Sequence, residues 1–286
     1  MTPEEHLALA TINPELAEVS RTPGPMRSLL TAPQLFKTSP PAKGLDSSTD
    51  IVAIRENLAS VKKQLNDANS TQGDVQYIEE DRKIQVRDGS SITVRIHSPK
   101  SPPKDGSPIF VVYHGGGFCL GGLDNEAVLC RKFTELEGVA VNVDYRLAPE
   151  HPFPVPVYDA YDALKWTAAH FTELGGNPAK GFLVGGISAG ANFGAVVTHL
   201  YRDDVLSPPL TGAFLSIPAC IGPNVVPEKY KDVYLSREQN KEAPILNAAS
   251  MELMESKFSR EVLSVWCTKL TFFLPQNSTN QMRLLH

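Results

Sequence analysis

One serine, set between two glycines where an apolar strand changes into a helix-forming stretch, constrains this chain most. The strand is residues 181–184, and the sequence Gly-Ile-Ser-Ala-Gly occupies 186–190. Such a turn holds the serine in a strained backbone conformation with its hydroxyl exposed above a sheet, and a side chain in place of either glycine would collide with the strand or the helix. Ser188 is therefore the candidate nucleophile, and Gly186 and Gly190 are the glycines that form its turn.

A run of three glycines follows a second apolar strand, with His-Gly-Gly-Gly at residues 114–117. Acyl transfer needs backbone N–H donors aimed at the oxyanion of the tetrahedral intermediate, and glycines let bare backbone approach the substrate. We predict that the N–H groups of Gly115, Gly116 and Ala189 form this oxyanion hole. His114, at the mouth of the loop, is expected to tie the loop to a neighbouring backbone carbonyl.

A third motif lies between the first two. Residues 144–150 are Asp-Tyr-Arg-Leu-Ala-Pro-Glu, at the end of a further apolar strand. With His-Gly-Gly-Gly-Phe before it and Gly-x-Ser-Ala-Gly after it, the set resembles the hormone-sensitive-lipase-like branch of the α/β-hydrolase esterases, over roughly residues 75 to 220. The resemblance implies that Asp144 and Arg146 pair and that both, with Glu150, are scaffolding beneath the active site.

Length and composition are typical of one catalytic domain with a small appendage. The 286 residues are 42% hydrophobic and 21% charged, and apolar strands alternate with helical segments. This pattern predicts an α/β-hydrolase fold, with a mostly parallel sheet and helices on both faces. Apolar positions at helical spacing between Thr49 and Asn66 predict a helix. The resemblance implies a helical cap over residues 1–73 and a hydrolase core over 74–286; a helix that only packs on the core is an equal alternative.

The charge and the cysteine content indicate which binding partners and which cellular compartment to expect. The net charge is −5, and Lys and Arg form no basic stripe, which argues against a nucleic-acid partner. The four cysteines show no paired spacing, the N-terminus resembles no secretory signal, and no apolar run is long enough to span a membrane. We expect a cytoplasmic protein that acts on a small-molecule ester without a cofactor or a metal. The sequence leaves the oligomeric state open.

The remaining members of a catalytic triad are missing from their expected places. The resemblance implies an Asp-Pro-Leu segment roughly ninety to a hundred residues after the serine and a His-Gly-Phe segment roughly thirty later, and neither is present. After Ser188 the histidines are His199, in the helix that follows the turn, and His286. We expect His199 to pack or cap, and we keep His286 as a candidate base. The triad acid is unassigned, and the C-terminal part is expected to be incomplete or divergent.

Three interpretations are therefore open. The first is a serine esterase that hydrolyses a short-chain ester, an acetate, of a small apolar molecule. Residues 230–235 and 240–244 resemble filamentous-fungal members of the family, which implies a polyketide substrate. The second is a ligand-binding protein that keeps the serine turn on the same scaffold but has lost its histidine. The third is a truncated gene product. The intact turn favours the enzyme, and the missing histidine segment favours the other two.

Overall fold

Six strands form one sheet in the part of the chain that the structure, a computed structural model, describes: residues 49–56, 58, 76–223, 226–243 and 246–258. The strands are β1 (Tyr77–Gln85), β2 (Ser91–Pro99), β3 (Ile109–Tyr113), β4 (Val139–Asp144), β5 (Phe182–Ile187) and β6 (Gly212–Ser216). Their order is β1-β2-β4-β3-β5-β6. The β1–β2 and β2–β4 pairs are antiparallel, and β4, β3, β5 and β6 run parallel.

Helices cover both faces of the sheet. They are α1 (Ala127–Glu135), α2 (Val155–Ala169) and α3 (Ala189–Asp203). On one face, Cys130 of α1 packs with Phe110 and Val112 of β3. On the other face, Tyr113 Oη of β3 donates to the carbonyl of Ala160 in α2 at 2.8 Å. Because β3 is covered on both sides, all five of its residues are buried, as expected for a central parallel strand. The predicted mostly parallel sheet with helices on both faces is confirmed.

The loop after β4 is held by a different ion pair from the predicted one. Arg146 does not pair with Asp144; its Nε and Nη2 donate to the two carboxylate oxygens of Asp159 in α2, at 2.8 and 2.7 Å. Arg146 Nη1 also donates to Asp88 Oδ2 at 2.8 Å. The reason is burial. The Asp159 side chain is 0% exposed, and a carboxylate that has left water needs a charged, bidentate partner.

The described residues divide into two units. The second unit, residues 76–223 and 257–258, contains the sheet. The first contains residues 49–56, 58, 226–243 and 246–256, and its elements include a 3-10 helix (Glu228–Val233), α4 (Ser236–Gln239) and most of α5 (Ala248–Phe258). The proposed division of the chain near residue 73 stays a prediction.

The predicted helix between Thr49 and Asn66 is seen over its first turns. Residues 51–56 and 58 are helical, and Asp50 Oδ1 accepts the N–H groups of Val52 and Ala53 at 2.9 and 3.1 Å. Asp50 is therefore the N-cap. The remainder of that prediction, the cap before residue 49 and the tail after residue 258 lie outside the described residues. Within the described part, no helix has both the length and the apolar character needed to cross a bilayer.

Candidate active site

Ser188 occupies the turn between β5 and α3. Its backbone has φ 55° and ψ −115°, a left-handed conformation that a residue with a side chain adopts only under constraint. Two hydrogen bonds supply the constraint. The Ser188 N–H donates to the carbonyl of Ser216 at the end of β6 at 2.8 Å, and the Ser188 carbonyl accepts the N–H of Asn192 at 3.0 Å. The turn therefore presents a half-buried serine at the carboxyl end of the parallel strands.

The two glycines of this turn pack closely against the end of β3. A Cβ on Gly186 would lie 2.0 Å from the carbonyl oxygen of Tyr113, and a Cβ on Gly190 would also lie 2.0 Å from that oxygen. Gly190 would in addition meet the His114 carbonyl oxygen at 2.7 Å. Bare backbone at both positions thus brings the serine turn against the start of the glycine loop.

The glycine loop after β3 runs directly beside the serine. A Cβ built on Gly115 would lie 3.6 Å from Ser188 Cβ and 3.1 Å from the Ile187 carbonyl oxygen. Gly116, Gly117 and Phe118 follow with φ of 131°, 59° and 66°. The Gly116 carbonyl accepts the N–H groups of the residues at 119 and 120, at 3.2 and 2.9 Å, and closes a tight turn.

The structure corrects the predicted set of oxyanion donors. The N–H of Gly115 already donates to Glu126 Oε1 at 2.8 Å, so it is not available to an oxyanion. Within the described part of the chain, no acceptor is found for the N–H groups of Gly116, Gly117 and Ala189. Ala189 begins α3, where the first N–H groups of a helix have no partner inside the helix. Gly117 is not in the predicted set, although it belongs to the same glycine run.

The buried ring of His114 contacts the backbone of the glycine loop. Its ring is fully buried and stacks on Tyr145 with the ring centroids 4.1 Å apart. His114 Nδ1 lies 2.8 Å from the Gly115 carbonyl oxygen, and Tyr145 Oη donates to the His114 carbonyl at 2.7 Å. The ring is therefore engaged with the backbone beside it, as a loop-fixing role requires.

Behind the loop lies an aromatic cluster. The Phe118 ring stacks on Phe258 at a centroid distance of 4.1 Å and contacts Phe193 of α3 at 5.3 Å. Phe258 also packs against Phe153, and the Phe153 N–H donates to the Phe258 carbonyl at 3.1 Å. The Phe118 ring is therefore buried, and it cannot turn without opening a cavity.

No described side chain hydrogen-bonds to Ser188 Oγ. His199 lies in α3, and burial lowers its pKa. It follows Ser188 by eleven positions, which corresponds to about 16 Å along the helix axis. His199 therefore cannot reach the serine, and His286 lies outside the described residues. Nor do the described residues contain a group of three or more His, Cys, Asp or Glu side chains that could hold a metal ion.

With this geometry in view, the chain can be placed among known proteins. The family of the alpha/beta hydrolase fold matches residues 110–268, which include most of β3, the glycine loop and the serine turn. The chain belongs to this family, and the predicted α/β-hydrolase class is confirmed.

Three related proteins show the range of the similarity. The chain is 39% identical to a versiconal hemiacetal acetate esterase of Dothistroma septosporum, over 51% of this chain and 45% of that protein. It is 38% identical to carboxylesterase NlhH of Mycobacterium tuberculosis, over 59% and 50% of the two chains. A solved esterase from Pyrobaculum calidifontis superposes with a TM-score of 0.67 at 29% identity, over 86% and 74% of the chains. The chain spans about half the length of the curated relatives that it matches.

Proposed function

We propose that this protein is a carboxylic ester hydrolase in which Ser188 attacks the ester carbonyl. One observation carries the proposal: Ser188, at φ 55° on the β5–α3 turn, lies against the glycine loop, with its Cβ 3.6 Å from the Cβ position of Gly115. This arrangement supports the proposal because acyl transfer requires a nucleophile beside backbone N–H donors, and the nearby N–H groups have no acceptor among the described residues. The similarity to two proteins named as esterases supports it.

In the proposed reaction, Ser188 Oγ bonds to the carbonyl carbon and the serine proton passes to a base. The N–H groups of Gly116, Gly117 and Ala189 stabilise the oxyanion. Collapse of the intermediate expels the alcohol, which takes up the proton, and a water molecule then releases the acid by the same steps. Of the two histidines after the serine, His286 is the candidate base because His199 is too far along α3.

Turnover of p-nitrophenyl acetate, with labelling of the serine by a fluorophosphonate and intact mass measurement, tests the proposal. Ser188→Ala should abolish both, whereas Ser98→Ala, at a half-buried serine of β2, should leave both unchanged. Substituting His286 by alanine should reduce turnover by roughly 10³-fold or more if it is the base. Labelling that persists in Ser188→Ala would refute the assignment. Ester binding without turnover would support the ligand-binding alternative.

We propose further that the substrate is a short-chain ester, an acetate, of a small apolar molecule such as a polyketide. The support is the similarity to a relative whose name specifies a hemiacetal acetate. A series of p-nitrophenyl esters from C2 to C12 should show the highest kcat/KM at C2 or C4. A maximum at C8 or longer would contradict the acetate proposal and leave the esterase proposal intact.

A cytoplasmic location is likewise a proposal. The described part of the chain contains no disulfide among Cys119, Cys130 and Cys220, and disulfides are rare in a reducing compartment. Thiol titration in denaturant without reductant should find every cysteine of the chain reactive. Loss of two thiols would indicate a disulfide and an oxidising compartment.

A further inference from the structure

Glu126 is a buried carboxylate that none of the sequence motifs includes. It lies eleven residues after Gly115, immediately before α1, and its side chain is 5% exposed. Its Oε1 accepts the Gly115 N–H at 2.8 Å. Burying a carboxylate is costly unless it accepts hydrogen bonds. The hydrogen bond that Glu126 accepts from the glycine loop therefore needs an explanation.

The backbone of Glu126 is fixed by the core. Its carbonyl accepts the N–H of Cys130 at 3.0 Å in the first turn of α1, and Cys130 is 0% exposed against β3. The carboxylate is therefore attached to a packed helix and does not move with the loop. The hydrogen bond that it accepts from Gly115 therefore holds the loop at a fixed position relative to α1.

Gly115 is held from both sides. Glu126 accepts the N–H of Gly115, which belongs to the peptide unit before its Cα. His114 Nδ1 lies 2.8 Å from the Gly115 carbonyl oxygen, which belongs to the peptide unit after it. A peptide unit is planar and trans, so fixing the Gly115 carbonyl directs the N–H of Gly116 to the opposite side. A Cβ on Gly115 would lie 3.6 Å from both Glu126 Oε1 and Ser188 Cβ, so Gly115 lies close to both the carboxylate and the serine.

We propose that Glu126 is a positioning residue that orients the Gly116 N–H toward the oxyanion formed at Ser188. This inference rests on the proposed esterase function. In this role Glu126 touches no reacting atom and acts through its hydrogen bond with Gly115. The side-chain oxygen of Glu126 that accepts the Gly115 N–H, and not the negative charge, carries the effect, because a charge so near the serine opposes the developing oxyanion.

Three variants test the role. Glu126→Ala removes the acceptor, Glu126→Asp keeps the charge but shortens the side chain, and Glu126→Gln keeps an acceptor without the charge. Glu135→Gln is the matched control, since this exposed glutamate at the end of α1 pairs with Lys132 at 2.9 Å. We expect the alanine and aspartate variants to lose about 10- to 100-fold in kcat with KM within about threefold, as for a misplacement of about 1 Å. The glutamine variant and the control should stay within about threefold of wild type.

Hydrogen exchange of the Gly115 amide provides a readout that does not depend on catalysis. Its exchange should accelerate at least about tenfold in the alanine and aspartate variants and change little in the glutamine variant. Unchanged exchange and kcat in Glu126→Asp, or an equal loss of kcat in the glutamine and alanine variants, would overturn the proposal. If wild type shows no Ser188-dependent turnover or labelling, the esterase proposal fails, and the exchange data still decide whether Glu126 holds the loop. Should Glu126→Ala not fold, the aspartate and glutamine variants carry the comparison.

Discussion

Substituting Gly190 by alanine tests the packing that places the serine beside the glycine loop. A Cβ at this position would lie 2.0 Å from the Tyr113 carbonyl oxygen and 2.7 Å from that of His114. Both atoms are backbone, and real Cβ contacts shorter than 3.0 Å are essentially never seen, so α3 and the end of β3 must separate by about 1 Å.

Two effects of opposite sign contribute to the change in stability. Alanine is favoured over glycine inside a helix by about 1 kcal/mol, and less in the first turn. Overpacking of a rigid backbone contact costs about 1–3 kcal/mol or more. The cost of overpacking should exceed the gain in helix propensity, so the free energy of unfolding should fall by about 2 kcal/mol. Under the proposed function, a displacement of about 1 Å at the nucleophile should also lower kcat by about 100-fold.

Urea unfolding followed by circular dichroism measures the first effect. With an m-value of about 2 kcal/mol/M, the midpoint should fall by about 1 M. Gly122→Ala is the control, because the nearest atom to its Cβ would be Asp144 Oδ1 at an ordinary 3.7 Å. That variant should stay within about 0.5 kcal/mol of wild type. If Gly190→Ala matched the control in both midpoint and turnover, the argument from close backbone contact would be wrong.

The remaining predictions concern burial. Asp159→Ala should cost about 3 kcal/mol of unfolding free energy, because the half-buried Arg146 loses its bidentate partner; a urea midpoint equal to wild type would contradict this. Burial lowers the pKa of His97 to about 4, although Glu79 lies 3.1 Å from its Nδ1 and opposes the shift. The folded imidazole is then neutral where the unfolded one is protonated, so stability should fall as the pH drops from about 6.5 to about 4, and His97→Gln should flatten this part of the pH profile. Phe258→Ala, which empties the centre of the aromatic cluster, should cost about 3–5 kcal/mol, and a loss below about 1 kcal/mol would show that the cluster is not tightly packed.

The fold class could be predicted because the relevant signals are local. An apolar run bounded by turn residues indicates a buried strand, and repetition of strand and helix indicates a parallel sheet covered on both faces. The partner of Arg146 could not be predicted in this way. Asp144 is nearest in the sequence, but Asp159 becomes the fully buried acid once α2 packs on the sheet, and its need for a cation decides the pairing.

The sequence by itself determined the serine turn, because a serine between two glycines after a buried strand has few ways to enter a helix. It also determined that a glycine loop would follow β3. Only the tertiary structure decided which N–H groups of that loop remain available. Gly115 and Gly117 are indistinguishable as letters in a run, yet Gly115 donates to Glu126 and Gly117 has no acceptor among the described residues. Hydrogen-bond partners depend on which distant residues the packing of α1 brings to the loop, and no local pattern in the chain encodes that packing.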